Sequence, residues 1–166
     1  MPTFISLTAS GFALAEDPFT AVSDDQSVPP GDVIISLLRF QTDGEALLSE
    51  SRKVGVRLES AEEVEALAYD LPQIAVVALA FPKFSDGRAL SSARLLRERF
   101  QYKGQVRAVG DVLREQAGNM VRCGFDAFEP ADGANVEMWE TAAYRFRHVY
   151  QRASDGRPPA FVERSE

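Results

Sequence analysis

Seven consecutive apolar residues, Ile74 to Ala80, lie between Pro72 and Pro82. An alternating strand keeps one wet face, and this run keeps none. It predicts a strand covered on both sides, as in the middle of a parallel sheet. Around it the apolar spacing switches between two periods. Val54, Val56 and Leu58 alternate with Gly55 and Arg57, predicting a strand with one polar face; residues 105–109 and 125–128 predict two more. Between the strands the spacing lengthens to three and four. Val64, Leu67, Ala68 and Leu71 form a stripe behind Ser60, which with Glu63 fits a capping box. Ala93, Leu96 and Phe100 predict a helix over about 91–100, starting near Ser91. Asp111 is placed to cap a helix carrying Leu113, Ala117, Met120 and Val121, and Gly124 to stop it. Val136, Trp139, Ala143, Phe146 and Tyr150 predict a last helix over about 135–151. Its stripe is expected to pack on the sheet in preference to forming a homodimer seam.

Toward the N-terminus, residues 3–7 and 12–14 around Ser10-Gly11 predict a β hairpin, and 16–32 a loop. A strand is expected within 32–40, with a short helix as the alternative, then a turn at Thr42-Asp43-Gly44 and a brief helix near 45–50. Residues 153–166 read as a flexible tail behind a single domain, 1–152. The fold class is α/β: about four βα units, a mainly parallel sheet and the N-terminal hairpin. Two architectures fit. Arg57, Arg107 and Asp126 on one concave face favour half of a (β/α)8 barrel. The two-sided apolar run favours an open doubly wound sheet, which is the preferred expectation.

Charge changes this picture more than composition does. The net charge is −7, yet residues 1–80 carry 4 basic and 13 acidic side chains while 81–124 carry 9 and 4. Solvated helix faces are the plain reading of the basic block, and a partner surface the sharper one; Arg94 and Arg97 are its candidates, expected on the outer half of their helix. The overall acidity, with no aromatic–basic motif evident, argues against nucleic acid. No run approaches the ~20 apolar residues of a membrane span, and no basic-then-apolar leader opens the chain, so a cytoplasmic protein is expected. A single cysteine rules out an internal disulfide and a CxxC site.

The candidate chemistry gathers where loops follow strands. Lys83, Ser85, Asp86 and Arg88, with the hydroxyls of Ser91 and Ser92 and with Asp111 from the next loop, compose a possible cradle for a small oxyanion. Against it, Asp86-Gly87 makes a turn, a serine caps the helix and Arg88 pairs with Asp86. The trio Asp86, Asp111 and Glu129 lacks a histidine, since the only one, His148, lies far along the chain; no metal and no cofactor are expected. Cys123, ahead of the helix-ending Gly124, reads as a covered, protonated thiol.

Three stretches carry a family resemblance: Phe-Pro-Lys-Phe-Ser-Asp-Gly-Arg-Ala-Leu-Ser-Ser-Ala-Arg-Leu-Leu-Arg-Glu-Arg-Phe (81–100), Gly-Gln-Val-Arg-Ala-Val-Gly-Asp-Val-Leu (104–113) and Arg-Cys-Gly-Phe-Asp-Ala-Phe-Glu (122–129). They resemble bacterial domain-of-unknown-function family 934. That resemblance implies a place beside assimilatory sulfite reductase, whose genes commonly neighbour those of the family, and members are often labelled putative oxidoreductases. Sulfite reduction runs through sirohaem and an iron–sulfur cluster that typically needs four thiolates, and this chain has one. The expectation is therefore an accessory that binds sulfite reductase or its electron donor, a small oxyanion, or both. The alternative is a small enzyme using Asp86, Arg88 and Asp111 on an anionic sulfur metabolite.

Overall fold

A computed structural model describes residues 3–165. Its sheet has eight strands: β1 Thr3–Thr8, β2 Gly11–Glu16, β3 Thr20–Ala21, β4 Val33–Ser36, β5 Val54–Leu58, β6 Val76–Phe81, β7 Gln105–Gly110 and β8 Ala127–Phe128. They lie in the order β2-β1-β8-β7-β6-β5-β4-β3. β3 through β8 are mutually parallel, while β1 runs antiparallel to both β2 and β8. The sheet is thus mixed, not mainly parallel. The doubly wound expectation is also overturned, because that fold needs the strand order to reverse and here β3 to β8 follow the chain in sequence. Right-handed crossovers in one direction put the helices that connect the parallel strands on the same face.

The ends of the sheet come together. Only Asp17, Pro18 and Phe19 separate β2 at one edge from β3 at the other. Four Cα steps reach at most about 15 Å, whereas seven flat strand spacings span about 34 Å. The sheet therefore curls into a half-barrel, and residues 17–19 strap across its concave face.

The outer face holds the main core. Val56, Leu58, Val77, Leu79, Phe81, Val106 and Phe128 meet helices α1 Leu37–Leu48, α2 Arg88–Arg94, α3 Ala117–Cys123 and α4 Val136–Ala143. The concave face holds a smaller cluster of Ile34, Val76, Ala78, Ala80 and Val109, with Phe19 of the strap packed on it. Both faces of β6 are buried, as its apolar run predicts.

Several elements differ from the expectation. α1 runs straight through Thr42-Asp43-Gly44, its start capped by Ser36, whose Oγ accepts from the Arg39 amide at 3.1 Å. The helix takes a glycine at position 44 because the Phe40 ring would lie 2.9 Å from a Cβ placed there. The stripe after Ser60 makes only a 3-10 turn, Val64–Leu67, with no side-chain cap. α2 begins at Arg88, not Ser91, and continues through a π turn, Leu95–Arg99. α3 begins at Ala117 after a 3-10 turn, and Gly124 ends it at φ 102°, as expected. The last helix stops at Ala143, so Phe146 and Tyr150 leave the stripe and face solvent, while Trp139 and Ala143 stay buried. Residues 153–163 are tied down: Asp155 pairs with Arg122 at 2.7 Å, Ser154 Oγ donates to Glu98 at 2.9 Å, and a last turn, α5 Ala160–Glu163, docks through the Ala160 amide to the Val149 carbonyl at 2.7 Å.

Candidate functional site

The loops after β5, β6 and β7 meet at one edge of the half-barrel. Arg88 joins two of them. Its Nε and Nη2 donate to Asp86 at 3.0 and 2.6 Å, and Nη2 also donates to Ser60 Oγ at 2.9 Å. Ser60 is therefore a partner of Arg88, not a helix cap. The Arg88 hydrogen bond holds the Asp86 carboxyl well below the usual carboxylate range, and Asp86 raises Arg88 in return. A carboxylate held this firmly ionised is a poor proton acceptor at neutral pH.

The third loop clamps the second. Asp111 Oδ2 accepts from the Phe84 amide at 2.6 Å, and Gln116 Nε2 donates to the Phe84 carbonyl at 2.6 Å. Asp111 is thus not the cap of α3; it fixes the loop 81–88. Gln116, which sequence reading passed over, completes the clamp, and its Oε1 is buried without a partner.

The expected cradle forms only in part. Lys83 and Ser85 are exposed on the clamped loop. Ser91 and Ser92, however, lie in the body of α2, where Ser92 Oγ donates back to the Arg88 carbonyl at 3.4 Å. They offer nothing to an anion at the helix start, which has no side-chain cap. Of the acidic trio, Asp86 is held by Arg88, Asp111 by the Phe84 amide, and Glu129 Oε1 by Arg107 at 3.0 Å. Among the described residues no cluster of His, Cys, Asp or Glu suits a metal ion.

The two surface candidates separate. Arg94 is exposed and pairs along its helix with Glu98 at 3.4 Å. Arg97 is no surface residue. The π turn swings it inward, to 17% exposure, where it donates to the carbonyls of Tyr102, Gly104 and Gly124 and to Asp126 Oδ2, all at 2.8–2.9 Å. Asp126 accordingly lies on the helix side, not with Arg57 and Arg107 on the concave face. Burial still pushes the Asp126 carboxyl up, against the pull of Arg97.

Arg107 is fully buried, and its guanidinium donates to Asp17 Oδ2 and Oδ1 at 2.6 and 3.1 Å as well as to Glu129. Phe4 lies beneath it, 4.4 Å from ring centroid to guanidinium carbon. Asp17 gave no local signal, because its partner lies 90 residues away. Cys123 is half-buried, and desolvation pushes its thiol up despite Arg94 and Arg122 nearby. His148 pairs with Glu163 at 2.6 Å, within the C-terminal segment.

No curated protein matches the chain. Its three resembling stretches and the elements that carry them, from β6 through β8, fall inside one family model. That model, described as "Bacterial protein of unknown function (DUF934)", matches residues 55–161, and the chain belongs to this family.

Proposed function

We propose that the protein is a binding accessory of assimilatory sulfite reduction, engaging sulfite reductase or its electron donor without turning over sulfite itself. The pathway rests on the company that family members keep. The binding role rests on one observation: each of the three candidate carboxylates at the loop edge is spent on holding the fold. Asp86 is locked to Arg88, Asp111 to the Phe84 amide and Glu129 to Arg107. What remains outward on that edge is Lys83, Ser85 and the exposed face of α2 with Arg94, a surface suited to contact. A small oxyanion bound there would rely on Lys83 and Arg88, with Ser91 and Ser92 playing no part.

The test uses purified protein, sulfite, an artificial electron donor and a sulfide readout, with and without sulfite reductase. The expected result is no sulfide from the protein alone and a saturable effect on the reductase reaction. Sustained sulfide production by the protein alone overturns the reading.

A further inference from the structure

The arginines divide sharply along the chain. All ten from Arg39 to Arg122 pair with a carboxylate. None of the five that follow, Arg145, Arg147, Arg152, Arg157 and Arg164, does so among the described residues. The chain has 25 carboxylates against 18 basic side chains, so partners are not scarce. The same segment exposes its large apolar side chains: Phe146 is 72%, Tyr150 90% and Phe161 66% exposed.

This segment has little regular structure, yet its backbone is fastened. Arg157 donates to the carbonyls of Phe146 and Arg147 at 3.0 and 2.8 Å. The Ala160 amide holds the Val149 carbonyl, His148 pairs with Glu163, and Arg122 donates to the Gln151 carbonyl. Fixed main chain with outward rings and unpaired guanidinium groups is a presented surface, whose ordering cost falls on folding and not on binding. Two adjoining hollows, about 720 and 660 Å³, share Arg145 in their walls.

We infer that residues 144–164 form a docking surface for an acidic protein partner, with Phe146 and Tyr150 as apolar anchors and Arg145, Arg147 and Arg152 as the charged rim. Protruding Tyr and Arg side chains are the types that dominate protein–protein hot spots. Charge complementarity names the partner's sign: guanidinium groups left free in a carboxylate-rich chain are matched by carboxylates supplied from outside. Nucleic acid is the less favoured polyanion, because an extended chain of phosphates runs beyond this basic segment onto the rest of a molecule of net charge −7, which a compact acidic patch on a protein does not. The inference goes beyond the proposed function, since it requires an acidic partner and not a particular enzyme.

The experiment places the photocrosslinker p-benzoyl-phenylalanine at Tyr150 and, as a control, at Tyr69, which is 96% exposed in the acidic part of the chain. Adducts formed in cells are identified by mass spectrometry. The captured protein is then purified and titrated against wild type, the F146A/Y150A variant and the R145E/R147E variant at several salt concentrations. The expected result is an acidic protein captured from position 150 and not from 69. Its affinity should fall at least about thirtyfold in the aromatic variant and weaken with salt or charge reversal. All four substituted side chains are exposed, and the two variants test separate contributions, so misfolding of one leaves the other decisive. Adducts at both positions or neither, an adduct to nucleic acid, or unchanged binding by both variants overturns the inference. Capture of an acidic protein unconnected with sulfite reduction sustains it while removing the proposed function.

Discussion

Asp17 and Arg107 share two hydrogen bonds across the concave face of the sheet, joining the strap between β2 and β3 to the middle of β7. The pair closes the curl. Phe19 follows on the same strap and packs against the concave cluster, so one ion pair and one ring seat the strap that links the two edges of an eight-stranded sheet.

Breaking a buried pair from one side leaves the other charge uncompensated, which costs about 3–5 kcal/mol. Arg107→Ala should lose that much in urea unfolding, since it also strips the packing over Phe4. Asp17→Ala should lose less, because Glu129 still accepts from Arg107. An Arg107→Ala midpoint close to wild type would show that the strap does not depend on the pair.

Where the sequence was readable, a local rule and the tertiary structure agreed. The apolar run of β6 is buried on both faces, and Gly124 sits left-handed at the end of α3. Where it misled, a partner outside the local motif decided. Thr42-Asp43-Gly44 has the composition of a turn, but Phe40 lies over Gly44 and Ser36 caps the helix from upstream. Ser60 has the spacing of a cap, but Arg88 claims its hydroxyl. The spacing of three and four through Tyr150 imitates a helix beyond Ala143, hiding an aromatic–basic run in an apparent stripe. Asp17, Gln116 and the inward turn of Arg97 had no local signature at all.

Removing either arm of the clamp on Phe84 should loosen the loop 81–88. Asp111→Ala and Gln116→Ala are each expected to speed amide exchange through the loop while leaving β6 protected. The Asp86 contribution has a definite sign: its folded carboxyl is depressed below 3.8, so its stabilisation is present above the unfolded value and lost as pH falls toward the folded one. Loop exchange, corrected for intrinsic rates, should therefore be flat between pH 5 and 8. A loop that loosens within that range contradicts the assignment.

Cys123 should be slow toward disulfide reagents. Desolvation raises its thiol above the ordinary 9.0, so the protonated form prevails at pH 8, and reaction should accelerate on unfolding in urea. The stabilisation tied to the protonated thiol is fully present below the unfolded value and fades as pH rises through the folded one. Cys123→Ala should cost only about 1 kcal/mol. Native-state labelling as fast as that of the unfolded chain would show an activated thiolate instead.

Arg94 and Arg97 offer the cleanest separation of surface from scaffold, because they stand only three positions apart, one ending α2 and the other in the π turn that continues it. Arg94→Glu removes an exposed pair with Glu98, a kind of contact worth about 0.3–0.5 kcal/mol, and should shift thermal unfolding little. Arg97→Glu removes four bonds at once and sets a second carboxylate against Asp126, whose own carboxyl burial already pushes up. The carbonyls of Tyr102, Gly104 and Gly124 lose their donor together, and the turn from α2 into β7 loses its anchor. The expected cost is about 3–5 kcal/mol, that of a broken part-buried network. Arg97→Lys should recover only a fraction, since an ammonium cannot span the fork of carbonyls and carboxylate that the guanidinium bridges. If Arg97→Glu unfolds at the wild-type temperature while Arg94→Glu does not, the inward placement of Arg97 is wrong and the π turn does not set the helix face.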